Sequence, residues 1–232
     1  MQNESFENAG ISLDNGIAAA QTVFSQLKTN RADNSYHYEI FAAIGLVHDV
    51  KSILEIGTSK GHFTQFLSHL FPNAQIQTWD LSEESFTNPR ASAYKVIAGT
   101  YGSQTSESNN RLMRLSNVSQ VRADSTRLAF SEDQFDLIWV DGDHTFPVAA
   151  FDIINALRLV KHDGWICVDD IRFQNTGSNR LGTDETFRTV QHLNDSGLVT
   201  VHYISKRLTE YDALLDRTYR KHVAILRKVT SV

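Results

Sequence analysis

The chain has 232 residues, 41% hydrophobic and 21% charged, with only three prolines, a composition that belongs to a folded protein of one large or two small domains and excludes a disordered chain. Lys and Arg number 22 against 27 Asp and Glu, a net charge of −5, so the surface lacks the positive field that a general binder of DNA or RNA backbones needs. One cysteine, Cys167, excludes a disulfide framework and a multi-cysteine zinc site, while the polar stretch Met1 to Gly10 and the absence of any run of eighteen apolar residues read as a soluble, cytoplasmic protein with no membrane partner.

Ile17, Ala20, Phe24 and Leu27 recur at spacings of three, four and three, which predicts an amphipathic helix over Ile11 to Lys28. Asn30 to Asn34 breaks it. A second helix, Ser35 to Asp49 with Ile40, Phe41, Ile44 and Val47, leads into a strand at Ser52 to Ile56. Short apolar runs then follow at Ile76–Asp80, Val118–Arg122, Phe135–Asp141 and Trp165–Asp169. They alternate with helical stretches near Thr64–Phe71, Arg111–Leu115, Val148–Val160 and Glu185–Asn194. This alternation predicts an α/β, doubly wound sheet, largely parallel, with helices on both faces. The last strands, Leu198–Ser205 and His222–Lys228, have only Lys206 to Lys221 between them, which predicts a long hairpin-like ending with one antiparallel strand. Asn88 to Asn110 departs from the alternation. Its core, Gly99-Thr100-Tyr101-Gly102-Ser103-Gln104-Thr105-Ser106, is rich in loop formers and reads either as a lid or as an insertion without a role.

The most specific stretch is Leu54-Glu55-Ile56-Gly57-Thr58-Ser59-Lys60-Gly61-His62, a strand entering a glycine turn that opens a helix. Glycines at 57 and 61 let a ligand approach the backbone. The spacing is neither Gly-x-Gly-x-x-Gly nor Walker A, so pyrophosphate and triphosphate ligands lose ground. Asp80 closes the next strand, ahead of Leu81, and comes 19 residues after Gly61, near the offset of about 20 at which a carboxylate meets ribose hydroxyls.

Asp124-Ser125 ends the third strand, where Asp124 either caps a helix or accepts from a purine amino group. The fourth strand runs into Asp141-Gly142-Asp143-His144 and the fifth into Asp169-Asp170. Strand ends of an open parallel sheet line the ligand crevice, so these carboxylates are expected to converge there, unless Asp141 or Asp143 caps the following helix. His144 has the pKa range of a general base but could equally line the ligand. Cys167, in an apolar strand, reads as an inert buried side chain. Tyr36-His37-Tyr38 reads as packing aromatics or as cover for the site.

On these residues the chain resembles the class I S-adenosylmethionine-dependent methyltransferases from about Tyr38 to Asp170, and within them the small-molecule O-methyltransferases of the catechol and macrolide-sugar type. The resemblance implies a Rossmann-like, seven-stranded fold with the last strand antiparallel. It assigns residues 1–50 to helices covering the active site and 51–232 to the cofactor-binding domain. S-adenosylmethionine would meet Glu55, Gly57, Thr58, Ser59, Gly61, Asp80, Leu81, Asp124, Ser125, Asp141 and His144. His144 and Asp141 would be catalytic, and Mg²⁺ would be held by Asp141, Asp169 and Asp170. The chain departs from the catechol type at Asp169-Asp170, where those enzymes carry Asp-Asn, and at His144, where they carry Lys. The acceptor would be a small-molecule hydroxyl and any protein partner a second copy of the chain. The competing readings are a metal-independent methyltransferase acting on nitrogen or on a protein, and a cofactor-binding module without catalysis.

Overall fold

The computed structural model describes residues 2–29, 34–82, 106–174, 184–207 and 220–229. Helices α1 (Gln2–Asn8), α2 (Leu13–Leu27) and α3 (His37–Val47) precede β1 (Ser52–Ile56), α4 (His62–Leu70) and β2 (Gln75–Asp80). A helix over 106–112 (α5) leads to β3 (Val118–Arg122), a 3-10 turn (Ser125–Phe130), β4 (Phe135–Val140), α6 (Val148–Leu159), β5 (Val160–Ile171), α7 (Glu185–Asp195), β6 (Val199–Ser205) and β7 (His222–Lys228). The strand order is β3-β2-β1-β4-β5-β7-β6. Strand β7 is antiparallel to both neighbours, and the other four pairings are parallel. The doubly wound sheet with its antiparallel last strand is therefore as expected.

The strands read as continuous apolar runs because both faces are covered. Ile53, Leu137, Trp139, Cys167 and Ile225 point to one face, where Phe6 of α1, Ile40, Phe41 and Ile44 of α3 and Leu67 of α4 pack on them. Their neighbours Leu54, Ile138, Val140, Ile166 and Leu226 point to the other, under Ile153, Ala156 and Leu159 of α6 and Val190 of α7, as the two-residue period of a strand dictates. Cys167 is fully buried, and burial pushes its thiol pKa up, so it is inert.

Helix α1 lies in the stretch read as a plain polar terminus. One aromatic, Phe6, is fully buried, and Gln2 donates to the Ser205 carbonyl at 2.9 Å. A single anchor has no periodicity to detect. Strand β5 also departs from expectation. It starts at Val160, directly after α6, not at Trp165, and a register irregularity opposite Phe135 and Leu137 absorbs the difference. The helix expected at Arg111–Leu115 lies a few residues earlier, as α5. Of the candidate lid Asn88–Asn110, residues 88–105 fall outside the described residues, as do residues 208–219 of the Lys206–Lys221 connection. Among the described residues no helix is long and apolar enough to cross a membrane.

At the edge of the sheet where β1 begins, Asp136 accepts from the amides of Lys51 and Ser52 (2.9 and 2.8 Å), from the Ser52 hydroxyl (2.9 Å) and from Lys161 (2.8 Å). This latch joins β1, β4 and β5, and the loops at the opposite edge are left to carry the chemistry.

Candidate active site at the carboxyl edge of the sheet

At the end of β1, Gly57 takes φ +101°, and a Cβ there would lie 2.1 Å from the Asp141 carbonyl oxygen. Only glycine lets this turn pass against the end of β4. Ser59 follows with φ 48°, and Gly61, with φ 72°, caps α4. Three amides of the turn are used internally. Gly57 N donates to Trp79 O and Gly61 N to Thr58 O, both at 2.8 Å, and Ser59 N donates to Asp80 Oδ2 at 2.7 Å. A phosphate cradle needs free N–H groups. Here a carboxylate already holds one of them and would repel a second anion.

Asp80 also accepts from Leu81 N at 2.8 Å, and Arg122 Nη1 lies 3.6 Å from its Oδ2. Burial raises its pKa, opposed by the Ser59 N–H and the Arg122 charge. A carboxylate offers about four acceptor positions, so Asp80 keeps capacity for vicinal hydroxyls. Beneath the turn, Glu55 is 1% exposed and accepts from Thr64 Oγ1 and Thr78 Oγ1, both at 2.5 Å. Thr58 Oγ1 lies 2.7 Å from Thr78 Oγ1 and is the donor in that pair when Glu55 is ionised, because Thr78 then gives its proton to Glu55. Burial pushes Glu55 up to about 7 against the two hydroxyls, with the Asp80 charge adding. Glu55 and Thr58 thus brace the turn from below.

Asp124, exposed at the end of β3, caps the 3-10 turn that Ser125 opens, accepting from Thr126 N (2.9 Å) and Thr126 Oγ1 (2.7 Å). Of the two roles open to it, capping is in use, and its exposure leaves the other available. Asp143 accepts from Thr145 N (2.8 Å) and Thr145 Oγ1 (2.7 Å). It thereby shapes the loop and does not cap α6, whose N-cap is Pro147. Asp152 of α6 carried no signal in the sequence, yet it is 1% exposed and neither carboxyl oxygen receives a well-formed hydrogen bond. Burial pushes it up to about 7, with the Ser125 hydroxyl opposing and Asp124 and Asp143 adding.

The third group of carboxylates sits at the ends of β4 and β5. Asp170 takes φ 53°, and the pairing of β5 with β7 shifts register between Val168 and Ile171. In a regular strand neighbouring side chains face opposite ways. This bulge brings Asp169 and Asp170 to one side, where both pair with Lys206 Nζ, Asp170 Oδ1 at 2.8 Å. Lys221 Nζ takes Asp170 Oδ2. His144 Nε2 lies 3.6 Å from Asp170 Oδ2 and 3.8 Å from Asp141 Oδ1. Asp169 is 2% exposed and the Lys206 side chain 8%.

Burial opposes the charge on Lys206, but Asp169, Asp170 and Asp141 outweigh it and hold the ammonium protonated above its usual range. Burial likewise pushes Asp170 up, and Lys206, His144 and Lys221 together pull it well below the usual carboxylate range. Asp141 is held well above that range by burial and by the adjacent charges of Asp169 and Asp170, against the pull of Lys206. With 37% of its side chain open to solvent, the charge of Asp169 is the firmer of the two causes, since solvent weakens burial.

The structure thus brings Asp141, His144, Asp169 and Asp170 together. It does not present them as a metal cage. Both oxygens of Asp170 and one of Asp169 face ammonium groups, and among the described residues no three of His, Cys, Asp and Glu are arranged to hold a metal ion. The expected magnesium site does not fit these residues, because a cation supplied by the chain already takes the oxygens that Mg²⁺ would need. Sequence reasoning missed Lys206 and Lys221. They are 36 and 51 residues from Asp170, and no spacing announces them.

A family model described as "Methyltransferase domain" matches residues 54–171, just over half of the chain. Cofactor-bound Rv0187 from MTB superposes with a TM-score of 0.60 at 18% identity, covering 92% of this chain and 89% of that one. The O-methyltransferase TomG from Streptomyces achromogenes, solved with SAM, gives 0.58 at 15% identity and covers 98% and 96%. The O-methyltransferase from Bacillus cereus, solved with SAH, gives 0.58 at 16% identity and covers 97% and 96%. At these identities the likeness is one of fold. No curated protein matches the chain by sequence.

Proposed function

Since the chain belongs to the methyltransferase-domain family, we propose that it transfers the methyl group of S-adenosylmethionine to the hydroxyl of a small molecule. The observation that carries this reading is the glycine turn with three of its amides used internally and Asp80 folded onto it. Such a turn turns phosphates away and suits the ribose of a nucleoside that has none. TomG bound to SAM and the Bacillus cereus enzyme bound to SAH share the fold, which supports the same ligand here.

In this reading Asp80 accepts from the ribose hydroxyls, Gly57, Thr58, Ser59, Gly61 and Leu81 floor the crevice, and Glu55 braces that floor. Asp124 and Ser125 flank the adenine. Bound S-adenosylmethionine supplies an electrophilic methyl on a sulfonium centre. His144 takes the proton of the attacking hydroxyl, and Asp141 and Asp170, at 3.8 and 3.6 Å, hold the imidazolium that results. The amino-terminal helices wall the acceptor side. Tyr36 N donates to Lys206 O at 2.8 Å, and His37 stacks on Trp139 with ring centroids 5.8 Å apart.

The test is calorimetry with S-adenosylhomocysteine. Wild type should bind, and Asp80→Ala should bind about tenfold or more weakly, the value of a hydrogen bond to a charged group. Equal affinities in the two proteins would remove Asp80 from the site. Labelled methyl appearing in hydroxylated acceptors separates the enzyme from a module that only binds, and label on amines or proteins would move the acceptor class.

A further inference from the structure

We propose that Lys206 stands in the place of a divalent cation, so that the positive charge of this site comes from the chain itself and methyl transfer needs no metal. Three carboxylates, Asp141, Asp169 and Asp170, meet at two adjacent strand ends, and without a counter-charge they would repel one another. Mg²⁺ would relieve this by gathering about six oxygens, several from these aspartates. The ammonium of Lys206 does so instead, contacting Asp169 Oδ2 and lying 2.8 Å from Asp170 Oδ1. Lys221 closes on the remaining oxygen of Asp170.

The placement is built into the backbone. Lys206 N donates to Lys221 O at 2.8 Å, extending the β6–β7 ladder by one rung, and Tyr36 N donates to Lys206 O at 2.8 Å. Lys206 is thus held from both sides, and the bulge at Asp169-Asp170 turns two consecutive carboxylates toward it. Two ammonium groups against three carboxylates already come within one charge of balance. A dication entering this set would have to displace Lys206 from two partners and then face its charge at close range in a pocket where the ammonium side chain is 8% exposed. A lone lysine on an exposed loop would yield to the ion, whereas this one has a buried stem and two carboxylate partners.

The inference rests on the methyl-transfer reading only for the meaning of the place, so ion binding and cofactor binding are measured separately. Mn²⁺ is titrated by electron paramagnetic resonance into wild type, Lys206→Met and Lys206→Met/Asp169→Asn, and S-adenosylhomocysteine is titrated into the same samples by calorimetry. Lys206→Met should bind Mn²⁺ at least about tenfold more tightly than wild type, and the double variant should lose that gain. Equal affinity of wild type and Lys206→Met, whether tight or absent, overturns the proposal. Should Lys206→Met fail to fold, wild type alone decides. Its melting temperature should be unmoved by EDTA or Mn²⁺, and a rise of about 5–10 °C, expected of an ion at a hundred times its Kd, overturns the proposal. Absence of S-adenosylhomocysteine binding throughout refutes the cofactor reading and leaves the ion result standing.

Discussion

Replacing Glu55 by glutamine should remove a pH-dependent weakness built into the centre of the sheet. Glu55 is 1% exposed and burial pushes its pKa from 4.5 to about 7. The folded state therefore binds this proton more tightly than the unfolded chain does. Its contribution to stability is fully present below the unfolded value, near pH 4.5, and is lost as pH rises through about 7. A shift of about 2.5 units corresponds to roughly 3 kcal/mol over the whole range, of which about 2.5 kcal/mol falls between pH 5 and 8.5. Glutamine keeps a carbonyl oxygen to accept from Thr64 and Thr78 but has no charge to bury. Urea denaturation of both proteins at half-unit steps from pH 5 to 8.5 should show Glu55→Gln gaining on wild type steadily toward alkaline pH. The gain should reach about 2–3 kcal/mol, or a melting difference of about 5–10 °C for a chain of this size. Taking the difference between the two curves cancels Asp152, which titrates in the same direction and range. Parallel curves would refute the reasoning, because they would mean that Glu55 titrates alike in the folded and unfolded states.

Asp152→Asn should likewise stabilise the protein at pH 8, by about 2 kcal/mol, and hardly at all at pH 5, since burial raises this carboxyl to about 7 and outweighs the opposing Ser125 hydroxyl. An equal change at both pH values in urea titrations would count against that. Asp136→Asn should do the opposite and lose about 2–3 kcal/mol at pH 7, the order of one or two hydrogen bonds to a charged group. Burial pushes the Asp136 pKa up, but Lys161 and the amides of Lys51 and Ser52 prevail and lower it. Its contribution is thus present above the unfolded value, near 4, and lost as pH falls through the folded one, so the deficit should narrow below about pH 4 in denaturant melts. Gly57→Ala and Gly61→Ala should separate by severity. A Cβ at 57 would lie 2.1 Å from backbone, whereas at 61 it would meet the flexible Leu112 side chain at 3.1 Å. Gly61→Ala should cost about 1 kcal/mol for its left-handed φ and Gly57→Ala several times that, read as loss of folded protein or of S-adenosylhomocysteine binding. Equal costs would contradict the packing of the turn against β4.

The strand and helix sequence, the antiparallel ending and the glycine turn were legible in the chain because each rests on local chemistry. Apolar runs such as Ile53-Leu54 and Leu137-Ile138 betray a sheet buried on both faces, and Gly57 and Gly61 mark backbone that only glycine adopts. The convergence of Asp141, Asp169 and Asp170 was also legible, because consecutive parallel strands end at the same edge. What those aspartates meet there was not. Whether a carboxylate cluster holds a metal or a lysine depends on which distant side chain returns to it. Lys206 returns only because β6 and β7 pair at that register and because a bulge turns Asp169 and Asp170 the same way. Buried charge is decided in the same manner. Glu55 and Asp152 look like ordinary acids in the sequence, and only the packing of α4, α6 and the threonines around them takes away the water that would keep their pKa values ordinary. Spacing along the chain determines what is near in sequence, whereas charge balance and solvent exposure depend on everything that is near in space, and at the aspartate cluster the neighbours that decide it, Lys206 and Lys221, come from the far end of the chain.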